Sequence, residues 1–321
     1  MALQWGAESL WLALQPLLPG LTVEVVASIP STNTELLSRA RRSPADALTP
    51  ALLVAEQQTA GRGRQGKAWV SGTGPAAAGA SLTFSLALPL APGDWSGLSL
   101  AVGLALAEVL DPTTSGHAPG DAPGQLPRLG LKWPNDLILL YDGGRAPHIG
   151  RKLGGILIET VQLGPQRLMV LGIGLNIRPL PATADAAAPA LSWGHGCVQD
   201  LQPGLDAPAT LARLLPPLVQ ALQAFEAHGF APLQPAFARR DVLAGRAVAT
   251  TLPGLPQGRA DGVDATGTLW LLADGGRHPV VSGDVSLKPL ATGAAAAPAT
   301  PPAAPSAAAP AGPPAAAPAP C

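Results

Sequence analysis

Hydrophobic and polar positions change texture several times along the chain. Residues 1–20 are apolar without a sustained period and read as a short lead-in holding one helix. Residues 21–27 alternate like a strand, and Ser31-Thr32-Asn33-Thr34-Glu35 opens a polar-faced helix to about Arg42, with Thr32 and Glu35 spaced as a capping box. Residues 51–56 form a continuous apolar run, the mark of a buried strand, and residues 81–88 read as another strand. Asp94 is placed to cap a helix running to Leu110. Residues 129–140, 152–162 and 167–177 carry successive β signals, the first two flanking the turn-rich Asp142-Gly143-Gly144. A helical pattern covers residues 210–228, where Pro216-Pro217 predicts a break or kink, and a short helix follows over 233–240. Residues 245–290 read as short strands with Gly turns.

Between these elements lie stretches without a period. Residues 113–125 form a Pro/Gly/Ser-type insertion expected to be mobile, and residues 179–208 are Ala/Pro/Gly-rich and expected to be irregular. Residues 291–321 are almost entirely Ala, Pro and Gly, a composition that cannot bury a face and predicts disorder. The domain organisation expected is therefore a lead-in (1–20), a main domain (21–243), a small β domain (244–290) and a tail (291–321).

Composition narrows the classes of function. Of 321 residues, 47% are hydrophobic and 13% charged, enough to build a sizeable core, and the formal net charge is −1, which gives no general basis for nucleic-acid binding. Two cysteines, Cys197 and Cys321, make neither a disulfide framework nor a zinc spacing. The absence of an early positive cluster, with Glu8 near the start, argues against a secretory signal. The longest apolar run, near residues 98–110, is interrupted by Glu108 and is too short to span a bilayer. A reduced cytoplasmic setting is expected.

Against this background the scarce residues stand out. The chain holds four lysines (Lys67, Lys132, Lys152, Lys288) and three asparagines (Asn33, Asn135, Asn176), nearly all in short polar stretches. Gly61-Arg62-Gly63-Arg64-Gln65-Gly66-Lys67-Ala68-Trp69 packs three glycines, three cations and an indole together, directly after Gln58. It mimics a dinucleotide fingerprint and a phosphate-binding P-loop, but both require a helix to begin at the loop, and the following Val70-Ser71-Gly72-Thr73-Gly74-Pro75 cannot supply one. Position 68 is Ala, where a P-loop needs Ser or Thr. What remains is a loop whose arginines can fork onto phosphate or carboxylate oxygens, whose glycines let backbone N–H groups approach, and whose Trp69 can stack on a purine.

Ser31, Thr32 and Asn33 present neutral polar groups suited to a urea- or amide-like ligand. Lys132-Trp133-Pro134-Asn135-Asp136 lies between two apolar strands: its lysine can stabilise developing negative charge, and Asp136 can hold magnesium or steer an amine nucleophile. Lys152 precedes Gly154-Gly155, and Gly172-Ile173-Gly174 precedes Asn176; glycines inside strands mark close approach to the backbone.

Taken in order, these five stretches, together with Ser282-Gly283-Asp284-Val285-Ser286-Leu287, resemble the biotin–protein ligase family over residues 21–290. The resemblance implies an α/β (α+β) catalytic domain of the class II synthetase and biotin–lipoyl ligase type, with a mixed sheet and flanking helices, followed by a small SH3-like β-barrel. It implies that ATP activates biotin to biotinyl-5′-AMP, with Mg2+, and that the biotinyl group passes to a lysine of a biotin carboxyl carrier protein domain. Carried over by resemblance, Ser31, Thr32, Asn33, Gln58, Arg62, Gly63, Arg64 and Lys152 bind biotin. Arg62, Arg64, Lys67, Trp69, Lys132, Asn135 and Asn176 bind ATP, the two asparagines by contacting nucleotide or fixing loops. Arg64, Lys132, Asp136 and Lys152 carry the chemistry, and Asp136 is also the candidate for Mg2+. Lys67 stands where the family often has Arg. Some members carry an N-terminal winged helix and repress transcription; residues 1–20 leave no room for one, so no nucleic-acid partner and no membrane are expected, and the protein is expected to be a monomer or homodimer. A lipoate or octanoate ligase of the same superfamily, and a non-catalytic biotin-sensing regulator, are the alternatives.

Overall fold

A computed structural model describes residues 3–42, 44, 48–71, 77–112, 127–141, 149–179, 194–281, 283 and 285–287. The expectations for residues 113–125, for the 142–144 turn, for 180–193 of the 179–208 stretch and for the 291–321 tail lie outside the described residues. Residues 1–288 make one compact unit.

Its centre is a seven-stranded mixed sheet in the order β1-β2-β5-β9-β8-β7-β6, formed by β1 (Thr22–Ile29), β2 (Ala51–Gln58), β5 (Ser81–Pro89), β6 (Leu129–Lys132), β7 (Asp136–Leu140), β8 (Gly150–Leu163) and β9 (Gln166–Asn176). Only β1 and β2 run parallel, because α2 (Thr32–Arg42) crosses over between them; the other pairs are antiparallel. One face of the sheet meets α2 through Leu36, Leu37 and Ala40 against Leu53, Ala87, Leu168 and Val170. The larger core, on the opposite face, takes in α1 (Ala7–Leu14), α3 (Leu98–Leu110) and α5 (Ala207–His228). After α4 (Val198–Leu201), α5 and α6 (Gln234–Ala238), the strands β10 (Ala247–Thr250), β11 (Gln257–Val263), β12 (Leu269–Ala273), β13 (Gly276–Val280) and β14 (Val285–Leu287) form a separate five-stranded antiparallel sheet. No described helix is long and apolar enough to cross a membrane.

Three local expectations give way. Of the break or kink expected at Pro216-Pro217, the break does not occur: helix α5 is continuous through both prolines. The carbonyls these prolines leave without a helical donor belong to Ala212 and Arg213, both on the exposed side, while Leu211, Leu214, Leu215, Leu218, Val219, Leu222 and Phe225 are buried. Burial of that stripe outweighs a penalty of about 3 kcal/mol per internal proline. Asp94 caps the turn before α3, accepting from Ser96 N at 2.8 Å, and the helix itself starts after Gly97 in a left-handed conformation. The Thr32–Glu35 capping box does not form. Thr32 is already the first helical residue, its hydroxyl turns to the sheet, and Glu35 accepts from Arg39 Nε at 2.8 Å on the outer face.

A buried ion pair anchors the start of β6. Arg240 and Asp111 are 2% and 4% exposed, and Arg240 donates to Asp111 Oδ2 at 3.0 Å and to the Leu129 carbonyl at 2.8 Å. The same Asp111 oxygen accepts from the backbone N–H groups of Arg128 and Leu129. Asp111 thereby ties the end of α3 to the start of the strand that delivers Lys132.

Candidate active site

The cross-strand register builds a floor without side chains on the α2 face of the sheet. Leu53 lies beside Ser85, Ser85 beside Gly172 and Gly172 beside Leu157; the next same-facing row runs Ala55, Thr83, Gly174, Gly155, Asp136. Because strand side chains alternate in direction, these two rows face the same way. Gly172, Gly174 and Gly155 therefore leave a trough across the middle of the sheet. A Cβ on Gly172 would stand 2.3 Å from Asn33 Oδ1, and one on Gly174 would stand 2.5 Å from the Trp69 ring. Glycine there is a matter of space, since other groups already fill the volume a side chain would need.

A cavity of about 760 Å³ opens over this floor, and every predicted site residue except Asn176 lines it. One end is neutral and polar. Ser31, Thr32 and Asn33, all buried, enter at the start of α2, and Gln58 comes from the end of β2. Gln58 Oε1 accepts from Thr32 N at 2.8 Å, fixing the strand end to the helix start. The other end is cationic. Lys132 closes β6, Trp133–Asn135 make the hairpin turn, and Asp136 opens β7. Asp136 Oδ1 lies 2.6 Å from Lys152 Nζ, and Oδ2 lies 3.8 Å from Lys132 Nζ. Two ammonium groups thus share one carboxylate at the cavity wall.

The glycine/arginine stretch forms a lid-like loop. Gly61–Arg62 (β3) pairs with Ala68–Trp69 (β4) around a tight turn at Arg64–Gly66, and no helix begins there, as the sequence predicts. Gln65 takes a left-handed conformation, φ 54°, next to Gly66 at 75°. Such a non-glycine conformation stores on the order of 1–3 kcal/mol. The Nε of Arg64 and the Nε1 of Trp69 are buried and have no hydrogen-bond partner among the described residues. Two donors left in this way at a cavity wall suit an anion and a flat ring. Arg62 is exposed and, among the described residues, reaches Thr34 Oγ1 at 3.5 Å. Gly63, Arg64 and Lys67 line the same cavity as Lys132 and Lys152, so the cations scattered through the sequence meet in one place.

The asparagines divide. Asn135 lines the cavity while its Nδ2 donates to the Ile156 carbonyl at 2.8 Å, clasping the turn to β8. Asn176 stands outside the lining and donates to the carbonyls of Lys152 and Gly196, both at 3.1 Å. Of the two roles expected for it, the one present is to fix the backbone that carries Lys152. Asp136 fits poorly as a magnesium ligand, because both of its oxygens face ammonium groups. Among the described residues no three His, Cys, Asp or Glu side chains gather as a metal site.

Two contributors escape the motif reading. Ser85, fully buried in β5, contacts both Thr32 Oγ1 and Asn33 Oδ1 at 2.6 Å, and Glu159 Oε2 accepts from Asn33 Nδ2 at 2.9 Å. The signal for Ser85 is in β5 itself: Ser81, Thr83 and Ser85 alternate with Leu82, Phe84 and Leu86, and a row of hydroxyls on a strand buried on both faces marks a polar site. Val285 and Ser286 of β14, inside the 282–287 stretch that entered the family resemblance without a site role, line the cavity from the small sheet.

Comparison with known proteins gives the same picture. The model of the biotin/lipoate A/B protein ligase family matches residues 25–176. The bifunctional ligase/repressor BirA of Escherichia coli is 32% identical over 274 residues, 84% of this chain and 75% of that protein. The biotin–[acetyl-CoA-carboxylase] ligase of Paracoccus denitrificans is 31% identical over 267 residues, 81% of this chain and 98% of that one. Among solved structures, the biotin protein ligase of Aquifex aeolicus in complex with biotin and ATP superposes with a TM-score of 0.61 at 22% identity, covering 84% of this chain and 99% of that chain, a likeness of fold.

Proposed function

The chain belongs to the biotin/lipoate A/B protein ligase family, with the biotin ligases, and we propose from its cavity how it performs their reaction. It is an ATP-dependent biotin ligase, which activates biotin and transfers it to a carboxylase carrier protein. One observation carries the reading of the site: a single cavity has a neutral hydrogen-bonding end at Ser31, Thr32, Asn33 and Gln58 and a cationic end at Arg64, Lys132 and Lys152. That polarity matches a molecule with a cyclic urea at one end and a carboxylate at the other.

In the first step the biotin carboxylate attacks the α-phosphorus of ATP, forming the mixed anhydride and releasing pyrophosphate. The obstacle is the approach of two anions. Arg64, Lys132 and Lys152 lower it by placing fixed positive charge where negative charge builds up, each such contact supplying on the order of 2–4 kcal/mol. Asp136 holds the two ammonium groups in place until substrates arrive, so they need little rearrangement. In the second step the acceptor lysine amine attacks the anhydride carbonyl, the amide forms and AMP leaves; Asp136 is the group placed to orient that amine. Trp69 flanks the adenine ring, and the loop carrying Arg62, Gly63, Arg64 and Lys67 covers the adenylate and keeps water away. Magnesium would be held by the ATP phosphate oxygens and water, to neutralise phosphate charge, and no residue of the cavity is assigned to it.

We read the five-stranded sheet at β10–β14 as the SH3-like end domain of this family, with boundaries near 243/244 and 290. The return of β14 to pair with β10 supports it.

The test is pyrophosphate release from MgATP with biotin, lipoate or octanoate, followed by labelling of a carrier domain. Biotin-dependent release and carrier labelling are expected. Turnover with lipoate alone would overturn the reading, and tight retention of biotinyl-AMP without transfer would point to a sensing role instead.

A further inference from the structure

Beneath the neutral end of the cavity, four side chains form a hydrogen-bonded row whose polarity can be worked out by counting protons. Asn33 Nδ2 lies 2.9 Å from Glu159 Oε2 and 3.4 Å from the Leu157 carbonyl. Both are acceptors, so the amide must point its NH2 group there and its oxygen the other way. Asn33 Oδ1 then faces Ser85 Oγ at 2.6 Å, and only Ser85 can donate. That uses the single proton of Ser85. The 2.6 Å contact between Ser85 Oγ and Thr32 Oγ1 must in turn be donated by Thr32. The longer contact of Thr32 Oγ1 with Gln58 Oε1, at 3.1 Å, is left without a proton, and Gln58 Oε1 is served by Thr32 N instead.

We propose that Ser85, Asn33 and Glu159 form a polarity relay that fixes Thr32 Oγ1 as a hydrogen-bond acceptor toward the cavity, selecting a ligand that presents an N–H there. The relay rests on the biotin reading and deepens it: of the two faces a cyclic urea offers, an N–H edge and a carbonyl, Thr32 takes the N–H edge. Its direction is anchored at the far end by a carboxylate, which can only accept, and charge-assisted bonds of this kind are the strong ones. Burial keeps water from reversing it: Thr32, Asn33 and Ser85 are 3%, 3% and 0% exposed. Gly172 is part of the device, since any side chain there would displace Asn33 Oδ1. Ser85 and Glu159 line no part of the cavity, so they are positioning residues that act through Thr32.

The experiment uses the full chain and three ligands: biotin and the two cyclic carbamates in which one or the other ureido N–H is replaced by oxygen. Titration calorimetry gives the ratio of their dissociation constants. In the parent protein one carbamate should bind at least ~10-fold more weakly than biotin, because its oxygen meets the lone pairs of a hydroxyl already committed to donating elsewhere. In Ser85→Ala the Thr32 proton is released and can turn to the carbamate oxygen, so the ratio should fall to about 3-fold or less. Glu159→Gln, which supplies an NH2 and allows the whole row to reverse, should compress the ratio in the same direction. Thermal midpoints are measured beside the ratios, and a loss of packing would weaken all three ligands together without changing their order. An undiminished ratio in Ser85→Ala, or a parent that treats both carbamates like biotin, overturns the relay. A parent that binds no biotin overturns the proposed function itself.

Discussion

Asp136 stands between two lysines of the cavity wall, 2.6 Å from Lys152 and 3.8 Å from Lys132. With side chains 14–22% exposed, the three groups are part-buried, where a like-charged pair of ammonium groups needs a counter-ion to remain together. Asp136→Asn keeps the size and one acceptor but removes the charge. Pyrophosphate release should slow by roughly 10- to 100-fold, with the biotin dissociation constant little changed. An unaltered rate in single-turnover measurements would remove Asp136 from the machinery.

Arg64 reaches the cavity with a buried Nε that no described residue satisfies. A bound carboxylate or phosphate is the group expected to supply the missing acceptor. Arg64→Ala should let biotinyl-adenylate leak, raising its dissociation rate by on the order of 10-fold or more, since a charge-assisted hydrogen bond contributes about 1.5–3 kcal/mol. Retention of the labelled adenylate after gel filtration measures this directly, and equal retention in variant and parent would show that Arg64 does not hold it.

Trp69 rests on Gly174 with no room between them. Gly174→Ala should push the indole off the floor and raise the KM for ATP about 10-fold or more, while the KM for biotin moves less. Shortening the ring by Trp69→Phe in the Gly174→Ala background should recover part of the loss. Failure of that pair to interact in a double-mutant cycle would show that Trp69 is not placed by Gly174.

Asp241 gives a pH signature outside the site. Burial pushes its carboxyl up to about 6 against an ordinary value near 4, and the backbone N–H of Leu243, at 2.8 Å, offsets only part of that. Between pH 4 and 6 the folded protein holds a proton here that the unfolded chain has released. The contribution of Asp241 to stability therefore falls as pH rises through that window and is constant above it. Asp241→Asn should unfold at a higher temperature than the parent at pH 7, by a difference on the order of 2 kcal/mol in stability, and show no such gain at pH 4. Thermal melts at the two pH values decide it; a gain of equal size at both would mean that the carboxyl is not titrating in this range.

Much of the fold was legible because it depends on local pattern. The strands at Ala51–Gln58, Ser81–Pro89 and Gln166–Asn176 follow from their strand-type patterns, and α2 and α3 from their periods. The failures occurred where a distant surface overrode a local preference. Pro216 and Pro217 argue for a break, but the stripe from Leu211 to Phe225 is buried in the core beside α3 and keeps the helix continuous through them. Thr32 and Glu35 have capping-box spacing, but a buried serine 53 positions further on claims the Thr32 hydroxyl.

The sequence by itself determined which residues could do this chemistry. In a chain so poor in lysine and asparagine, Thr32, Arg64, Lys132 and Lys152 stood out as candidates by type and neighbourhood, Gln58 by the family resemblance, and the absence of a helix after the glycine/arginine loop was legible as well. Only the tertiary structure decided how they are used. Strand register set Gly172, Gly174 and Gly155 side by side as a floor, paired Asp136 with two lysines, took Asn176 out of the cavity lining and brought Ser85 and Glu159 under the polar end. Those outcomes rest on contacts between segments far apart in the chain, and hydrogen-bond direction and charge pairing exist only once such segments meet.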